Sequence, residues 1–265
     1  MLLAACADQP DAQCRLGLSD DSAYLVQLRP GGPLPAACPQ GAQYQMIFAQ
    51  RYAGFLSEEP ATVVFQLAGS AVDPPSGAQA SGKFTSSRIV PPSNVCTIPE
   101  MTAAVDDGAT PVNTPTPVGP TTYRFSDVEF LSDAAHRGNQ FQARSVVDYG
   151  IPGCAGLEYV AQGIFPITPC IDDSICLPDA VSTDIPFPAG RGLGSQLNSD
   201  YRAFCNLDPA LLDNPEISSL LGELGAGRDA YEDAQGNLHD VGVCFLSEPF
   251  PSLCPACSDS TRFLC

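Results

Sequence analysis

The chain has 265 residues, of which 44 % are hydrophobic, and a formal charge of −18 from 12 basic and 30 acidic residues. A chain of this length buries roughly 70–75 % of its unfolded surface, which predicts one large folded domain or two small ones. The negative charge repels phosphate backbones and anionic headgroups. It therefore excludes nucleic acid as a partner and requires any membrane association to be hydrophobic and local.

Twelve cysteines without a His/Cys ligand cluster predict an oxidising compartment, and therefore export. Each disulfide stabilises such a protein by roughly 2–4 kcal/mol. Lys83 is the only lysine among the basic residues, which indicates a GC-rich bacterial genome. The disulfide candidates are Cys14, Cys38, Cys96, Cys154, Cys170, Cys176, Cys205, Cys244, Cys254, Cys257 and Cys265.

The chain begins MLLAAC, and Leu3 to Cys6 resemble the lipobox of bacterial lipoproteins, which is cleaved before the cysteine after lipid transfer to its thiol. The resemblance implies a lipid anchor at Cys6, with residues 1–5 as the remnant of an export signal and residues 1–20 as a tether. Acyl chains contribute about 0.8 kcal/mol per buried CH₂. Ala7, rather than aspartate, follows Cys6 and implies the outer membrane or the cell surface.

The alternative interpretation of this segment is a disulfide between Cys6 and Cys14. Lipidation of Cys6 would leave eleven other cysteines, an odd number. One thiol would then be free or bridged to another chain.

Residues 21–170 are predicted to be mainly β. Alternation with period two predicts strands in AYLVQLRP, YQMIFAQRY and TVVFQLAG, and a meander in TYRFSDVEFL, NQFQARSVVDYG and LEYVAQGIFPI. The Pro/Thr-rich segment 106–122 between these groups is predicted to cross from one sheet to another. About seven short strands predict an antiparallel β-sandwich of immunoglobulin-like or related architecture.

Residues 171–265 are predicted to form an irregular, disulfide-rich region with one or two short helices that packs on the sandwich. A helical turn is expected in NSDYRAFCNLD, and a helix from Asn214 to Gly225 with an apolar stripe that includes Ile217. The segment YEDAQGNLHDVGVCFL predicts a hairpin that turns at Gly236 and Asn237.

Three metal or redox sites are considered in this region. Cys254 and Cys257 form a CPAC motif like that of thiol oxidoreductases, but the residues that follow leave no room for the required helix, so structural disulfides are favoured. A zinc site from these two cysteines with Cys265 and His239 lacks a second matching pair. Calcium is a weak candidate at one acidic loop, whose residues are also ordinary turn formers. Its oxygen ligands would come from Asp229, Asp233 and Asn237.

No catalytic residue is assigned. The chain has only two histidines, His136 and His239, and no G-x-S-x-G motif. Asp127 and Glu129 are two apart on a predicted strand and would share one face, which is weak support for acid/base chemistry.

The segments NSDYRAFC and VGVCFLSEPFP, with the lipobox and the density of cysteines, resemble cysteine-rich lipoproteins of GC-rich bacteria such as myxobacteria. The resemblance implies a bridge between Cys205 and Cys244. We therefore expect a non-enzymatic cell-envelope lipoprotein, anchored in the membrane at Cys6, with a structural role or with loops for protein or glycan binding and no cofactor. The alternatives are a secreted hydrolase with a carboxylate site and an envelope thiol oxidoreductase.

Overall fold

The structure is a computed structural model. It describes residues 13–16, 21–53, 59–67, 78–89, 95–106, 119–132, 137–177, 203–213, 217–218, 231–232 and 238–246. The prediction of a mainly β, antiparallel fold with several disulfides and few short helices is confirmed.

Nine strands form one antiparallel sheet in the order β4-β3-β2-β1-β9-β8-β7-β5, with β6 also paired to β7. The predicted strands of the first group and of the meander are all present. The bounds are β1 Asp21–Pro30, β2 Gln43–Tyr52, β3 Thr62–Leu67, β4 Gln79–Lys83, β5 Val95–Glu100, β6 Ala104–Asp106, β7 Thr121–Ser132, β8 Arg137–Asp148 and β9 Leu157–Ile164.

The two edges of this sheet meet, so that the sheet closes on itself. The backbone N–H of Thr102, just after β5, donates to the carbonyl of Ser81 in β4 at 2.9 Å, and Thr85 N–H donates to Thr97 O at 2.9 Å. Gly82 lies at this seam, and a Cβ there would come within 2.5 Å of Ile98 Cγ2. We call the result the closed sheet.

The interior of the closed sheet is filled by aromatic side chains from alternate positions of its strands. The rings of Tyr24, Phe65, Phe130 and Phe141 are all fully buried. Ring centroids lie 5.2 Å apart for Tyr24 and Phe141 and 5.1 Å apart for Phe65 and Phe141. Phe141 lies against Gly163, where a Cβ would come within 2.1 Å of its Cε1. The missing side chain at position 163 is therefore a packing requirement of this ring.

A smaller unit packs on the outside of the closed sheet. Its three-stranded sheet has the order β10-β14-β11, and its core contacts Leu25, Met46 and Ile164 on the outer face. The bounds are β10 Pro169–Cys170, a 3-10 helix at Asp173–Cys176, β11 Ala203–Asn206, α1 Pro209–Asp213, β12 Tyr231–Glu232, β13 Leu238–His239 and β14 Gly242–Leu246.

One prediction about this smaller unit needs correction. The segment predicted to be a helical turn is strand β11, because Ala203 to Asn206 pair with β14. The helix follows it instead: Asp208 accepts from Ala210 N–H at 3.0 Å and caps α1, and Pro209 occupies the first position, which needs no donor.

The predicted helix at 214–225 and the predicted hairpin are described only in part. Within the helix, Ile217 and Ser218 are helical and Ile217 is buried. The hairpin prediction is confirmed for β12 and β13, which pair with Tyr231 opposite His239. Its turn lies outside the described residues.

The Pro/Thr-rich segment does not cross between two sheets. Asp106 at its start pairs with Thr121 at its end, in neighbouring strands β6 and β7 of the same sheet. The crossover prediction is therefore wrong. The segment connects adjacent antiparallel strands, and residues 107–118 within it lie outside the described part of the chain.

We expect Gly163→Ala to lower the free energy of unfolding by about 1–3 kcal/mol, because the added methyl group would overlap the ring of Phe141. Gly32→Ala is the control, since nothing lies within 4 Å of its Cβ position. Its effect should stay within about 0.5 kcal/mol. Urea unfolding followed by circular dichroism measures both, and equal stabilities of the two variants would contradict the packing role of Gly163.

Candidate functional site

Eight of the predicted disulfide cysteines form four disulfides. These are Cys14–Cys96, Cys38–Cys154, Cys170–Cys205 and Cys176–Cys244. The first two join loops and strands of the closed sheet, and the last two lie in the smaller unit. The cysteines at 6, 254, 257 and 265 lie outside the described residues.

The bridge between Cys205 and Cys244, which the lipoprotein resemblance implied, is wrong. The two residues are directly opposite each other in β11 and β14, but each sulfur is bonded elsewhere, to Cys170 and Cys176. One ligand atom each from Cys170, Cys176 and Cys244 lies within 4.8 Å of the others. Since all three sulfurs are in disulfides, they are not metal thiolates in this structure.

A row of polar side chains crosses the outer face of the closed sheet. Its members are direct register partners on five neighbouring strands, from β7 through β8, β9 and β1 to β2. All five are buried, at 9 % exposure or less. We call this set the polar row, and it consists of Glu129, Gln142, Gln162, Gln27 and Tyr44.

Hydrogen bonds connect neighbouring members of the polar row. Gln142 Nε2 donates to Glu129 Oε2 at 2.9 Å, and Gln27 Nε2 donates to the hydroxyl of Tyr44 at 3.0 Å. Arg29 Nε donates to Gln27 Oε1 at 2.8 Å. Because buried polar groups without partners are costly, these contacts explain how Gln142 and Gln27 are tolerated on a covered sheet face.

Tyr44 joins the polar row to the smaller unit. Its hydroxyl donates to Asp208 Oδ2 at 2.9 Å and accepts from Asn206 Nδ2 at 2.7 Å. Burial is the largest cause of the raised pKa of Tyr44, which is about 12. The hydrogen bond to Asp208 also raises this pKa, whereas the hydrogen bond from Asn206 lowers it. The neutral phenol is therefore the form that holds the two units together.

The polar row is not among the sites predicted from the sequence. The signal was present, since Gln27, Gln142 and Gln162 occupy the outward phase of strands whose inward phase is largely apolar. An outward glutamine is normally solvated, and its burial here depends on tertiary contacts that the strand pattern does not show.

Asp127 and Glu129 do not form a catalytic pair. A bulge interrupts β7 between Ser126 and Glu129, and Asp127 has a positive φ of 49°. Asp127 is exposed and forms an ion pair with Arg144 at 3.4 Å, whereas Glu129 is buried against Gln142. Each carboxylate has its own partner, and the arrangement offers no shared proton.

One end of the closed sheet receives the N-terminal segment. Gln13 bridges to Arg88, Cys14 N–H donates to Ser87 O at 3.1 Å, and the Cys14–Cys96 disulfide joins the segment to β5. A recess of about 180 Å³ lies beside this disulfide. Pockets for drug-sized ligands have volumes of about 300 Å³ or more, so this recess is smaller than such a pocket. We call this the tether end.

The remaining sequence candidates are not brought together by the described structure. Asp229, Asp233, Asn237, Cys254, Cys257, Cys265 and His136 lie outside the described residues, and only the backbone of His239 is described. Acidic side chains at Asp172 and Asp173 instead stabilise the backbone at the 3-10 helix, where Asp172 is the N-cap. Asp172 Oδ1 accepts from Ser174 N–H at 2.8 Å, and Asp173 Oδ1 accepts from Cys205 N–H at 2.8 Å.

A family model named MlpA matches residues 24–166. The chain belongs to the MlpA family. The match runs from β1 to just beyond β9, which is the extent of the closed sheet, and the family name suggests a myxobacterial lipoprotein. Comparisons with curated proteins and with solved structures found no match. Among the described helices of this MlpA-family protein, none has the length and hydropathy needed to span a membrane.

We expect Tyr44→Phe to reduce the free energy of unfolding by about 1–3 kcal/mol, because it leaves buried partners of the hydroxyl without their hydrogen bond. Tyr52→Phe is the matched control. Tyr52 is 56 % exposed, and its hydroxyl donates to the side chain of its neighbour Gln50 at the surface, so the change should be within about 0.5 kcal/mol. Chemical denaturation measures the unfolding free energy of both variants. Similar losses in the two would contradict the stabilising role of the hydrogen bonds of Tyr44.

The stability contributed by Tyr44 should also depend on pH in the alkaline range. Its pKa is higher in the folded protein, at about 12, than the ordinary value of 10.0. The contribution is therefore complete below pH 10 and is lost as the pH rises toward 12, because the unfolded chain ionises first. The difference in unfolding free energy between the wild type and Tyr44→Phe should shrink over this range, and a constant difference would contradict the assignment.

Proposed function

We propose that this MlpA-family protein is a non-enzymatic lipoprotein of the bacterial cell envelope, anchored by lipid at Cys6. The closed sheet is its folded core, and its exposed loops contact proteins or glycans at the outer membrane or cell surface. The family match supports the lipoprotein class, and the disulfides support an oxidising compartment outside the cytoplasm.

The observation that carries the proposal is the Cys14–Cys96 disulfide. It removes Cys14 as a partner for Cys6, which was the alternative interpretation of the N-terminal segment. It also joins the chain covalently to β5 only eight positions after Cys6. An anchor at Cys6 would thereby act on the folded sheet at a fixed point.

Lipidation of Cys6, together with the four disulfides, would leave an odd number of cysteines. With eight cysteines paired and Cys6 lipidated, the remaining three are Cys254, Cys257 and Cys265. Because a disulfide takes two cysteines, these three cannot all pair with one another within one chain. One of them therefore remains a thiol or bridges to another molecule.

The test is the intact mass of the protein from its native host, alkylated without reduction. We expect loss of residues 1–5, added acyl mass on Cys6 and one alkylated thiol in the monomer. Cys6→Ser should abolish the acyl mass and move the protein from the membrane fraction to the soluble fraction. The control Cys265→Ser should keep both the lipid and the membrane fraction. An unmodified Cys6 in the wild type, or Cys6→Ser protein that stays in the membrane fraction, would overturn the proposal.

A further inference from the structure

The tether end contains the chain connections that face the anchor. Because the strands alternate in direction, β2 ends there, β4 and β8 connect there to β5 and β7, and β9 ends there. The described N-terminal segment is also attached there, through Gln13, Cys14 and the region around Arg88. The loops joined by the Cys38–Cys154 disulfide lie at the opposite end.

The reach of the tether is short. Seven residues separate Gln13 from Cys6, and an extended chain spans at most about 3.3–3.6 Å per residue, so the distance is at most about 25 Å. Strand β2 alone has 10 residues, which corresponds to about 34 Å. The tether therefore keeps this end within about 25 Å of the lipid surface and excludes the inverted orientation, in which the opposite end would rest on the lipid.

Charge distinguishes the tether end from the rest of the protein. The described charged side chains at this end are mainly basic: four carry a positive charge and one carries a negative charge. The whole chain has a charge of −18, so the acidic excess lies elsewhere in the sequence. Anionic headgroups would repel the rest of the chain but not these side chains. The basic residues are Arg15, Arg51, Lys83 and Arg88, and the acidic one is Glu59.

Two exposed aromatic side chains lie on the outer face of β2 toward the tether end. Tyr52, the last residue of β2, is 56 % exposed, and Phe48 is 40 % exposed. They are the exposed large aromatic residues of the described chain. Tyrosine favours the boundary between headgroups and acyl chains, because its ring is apolar and its hydroxyl is polar.

We propose that the tether end docks on the lipid surface that holds the anchor, with Tyr52 in the headgroup region and Phe48 above it. This inference rests on the proposed anchor at Cys6. The occupant is a bilayer because the short tether, the basic side chains and the exposed tyrosine all occur at the same end. Docking fixes the orientation of the protein and directs the opposite end, with the Cys38–Cys154 loops, away from the membrane.

The absence of tryptophan from the sequence makes a direct test available. Tyr52→Trp and Leu207→Trp each place a single tryptophan at an exposed position of the lipidated, full-length protein. Leu207 is 45 % exposed and follows Asn206, which bonds Tyr44 near the start of β2. Tyr44 is eight residues from Tyr52 along the strand, or about 27 Å. Leu207→Trp is therefore a matched control at the other end.

The probe is a vesicle of phosphatidylcholine with brominated acyl chains, which quench tryptophan only at close range. We expect a blue shift and about a twofold loss of emission for Tyr52→Trp, as for side chains that enter the headgroup boundary by about 5–10 Å. Phe48→Trp should be quenched less, and Leu207→Trp should be unchanged. Thermal unfolding of each variant checks that the fold is kept.

The outcomes separate this inference from the proposed function. Lipidated protein that co-floats with vesicles but shows equal emission for Tyr52→Trp and Leu207→Trp would overturn docking and leave the anchor intact. Protein without acyl mass would overturn the anchor itself. A blue shift of Tyr52→Trp on concentration without vesicles would show that a second copy covers this face, which also overturns docking. Quenching confined to Tyr52→Trp and Phe48→Trp supports it.

Discussion

Closure of the large sheet between β4 and the chain around β5 is the contact on which the rest of the structure depends. Backbone hydrogen bonds from Thr102 to Ser81 and from Thr85 to Thr97 satisfy groups that an open sheet would leave at its edges. Gly82 permits the close approach, because any side chain there would meet Ile98 and the backbone at Glu100. With its edges paired, the sheet has a single inner face that is largely apolar and aromatic.

Closure also gives the sheet a single outer face, and the smaller unit divides that face into two parts. Over β1, β2 and β9 the smaller unit covers apolar positions such as Leu25 and Met46, and the adjacent glutamines become buried with them. The hydrogen bonds of the polar row are the consequence. Farther along β2 the cover ends, and Phe48 and Tyr52 are exposed. The same strand therefore serves an internal interface at its start and a free surface at its end.

The strands with strong alternation could be predicted from the sequence, and the contacts between distant segments could not. β1 to β3 and β7 to β9 have regular apolar phases, whereas β4 reads QASGK, whose small and polar residues give no such signal. The pairing of Cys170 with Cys205 follows from the position of β10 beside β14, which sequence spacing does not encode. The polar row was missed for the same reason, since strand alternation does not show which outward positions become covered in the folded chain.

The two disulfides of the closed sheet act at opposite ends and have different mechanical consequences. Cys38–Cys154 joins the β1–β2 and β8–β9 connections, so it restrains two loops relative to each other. Cys14–Cys96 joins the N-terminal segment to a strand, so a force applied through Cys6 would pass into β5. Since β5 is paired to β7 and closes against the chain after β4, that force is shared across the sheet's backbone hydrogen bonds. Without this disulfide, the same force would be resisted first by the backbone contacts of Gln13 and Cys14 with Arg88 and Ser87.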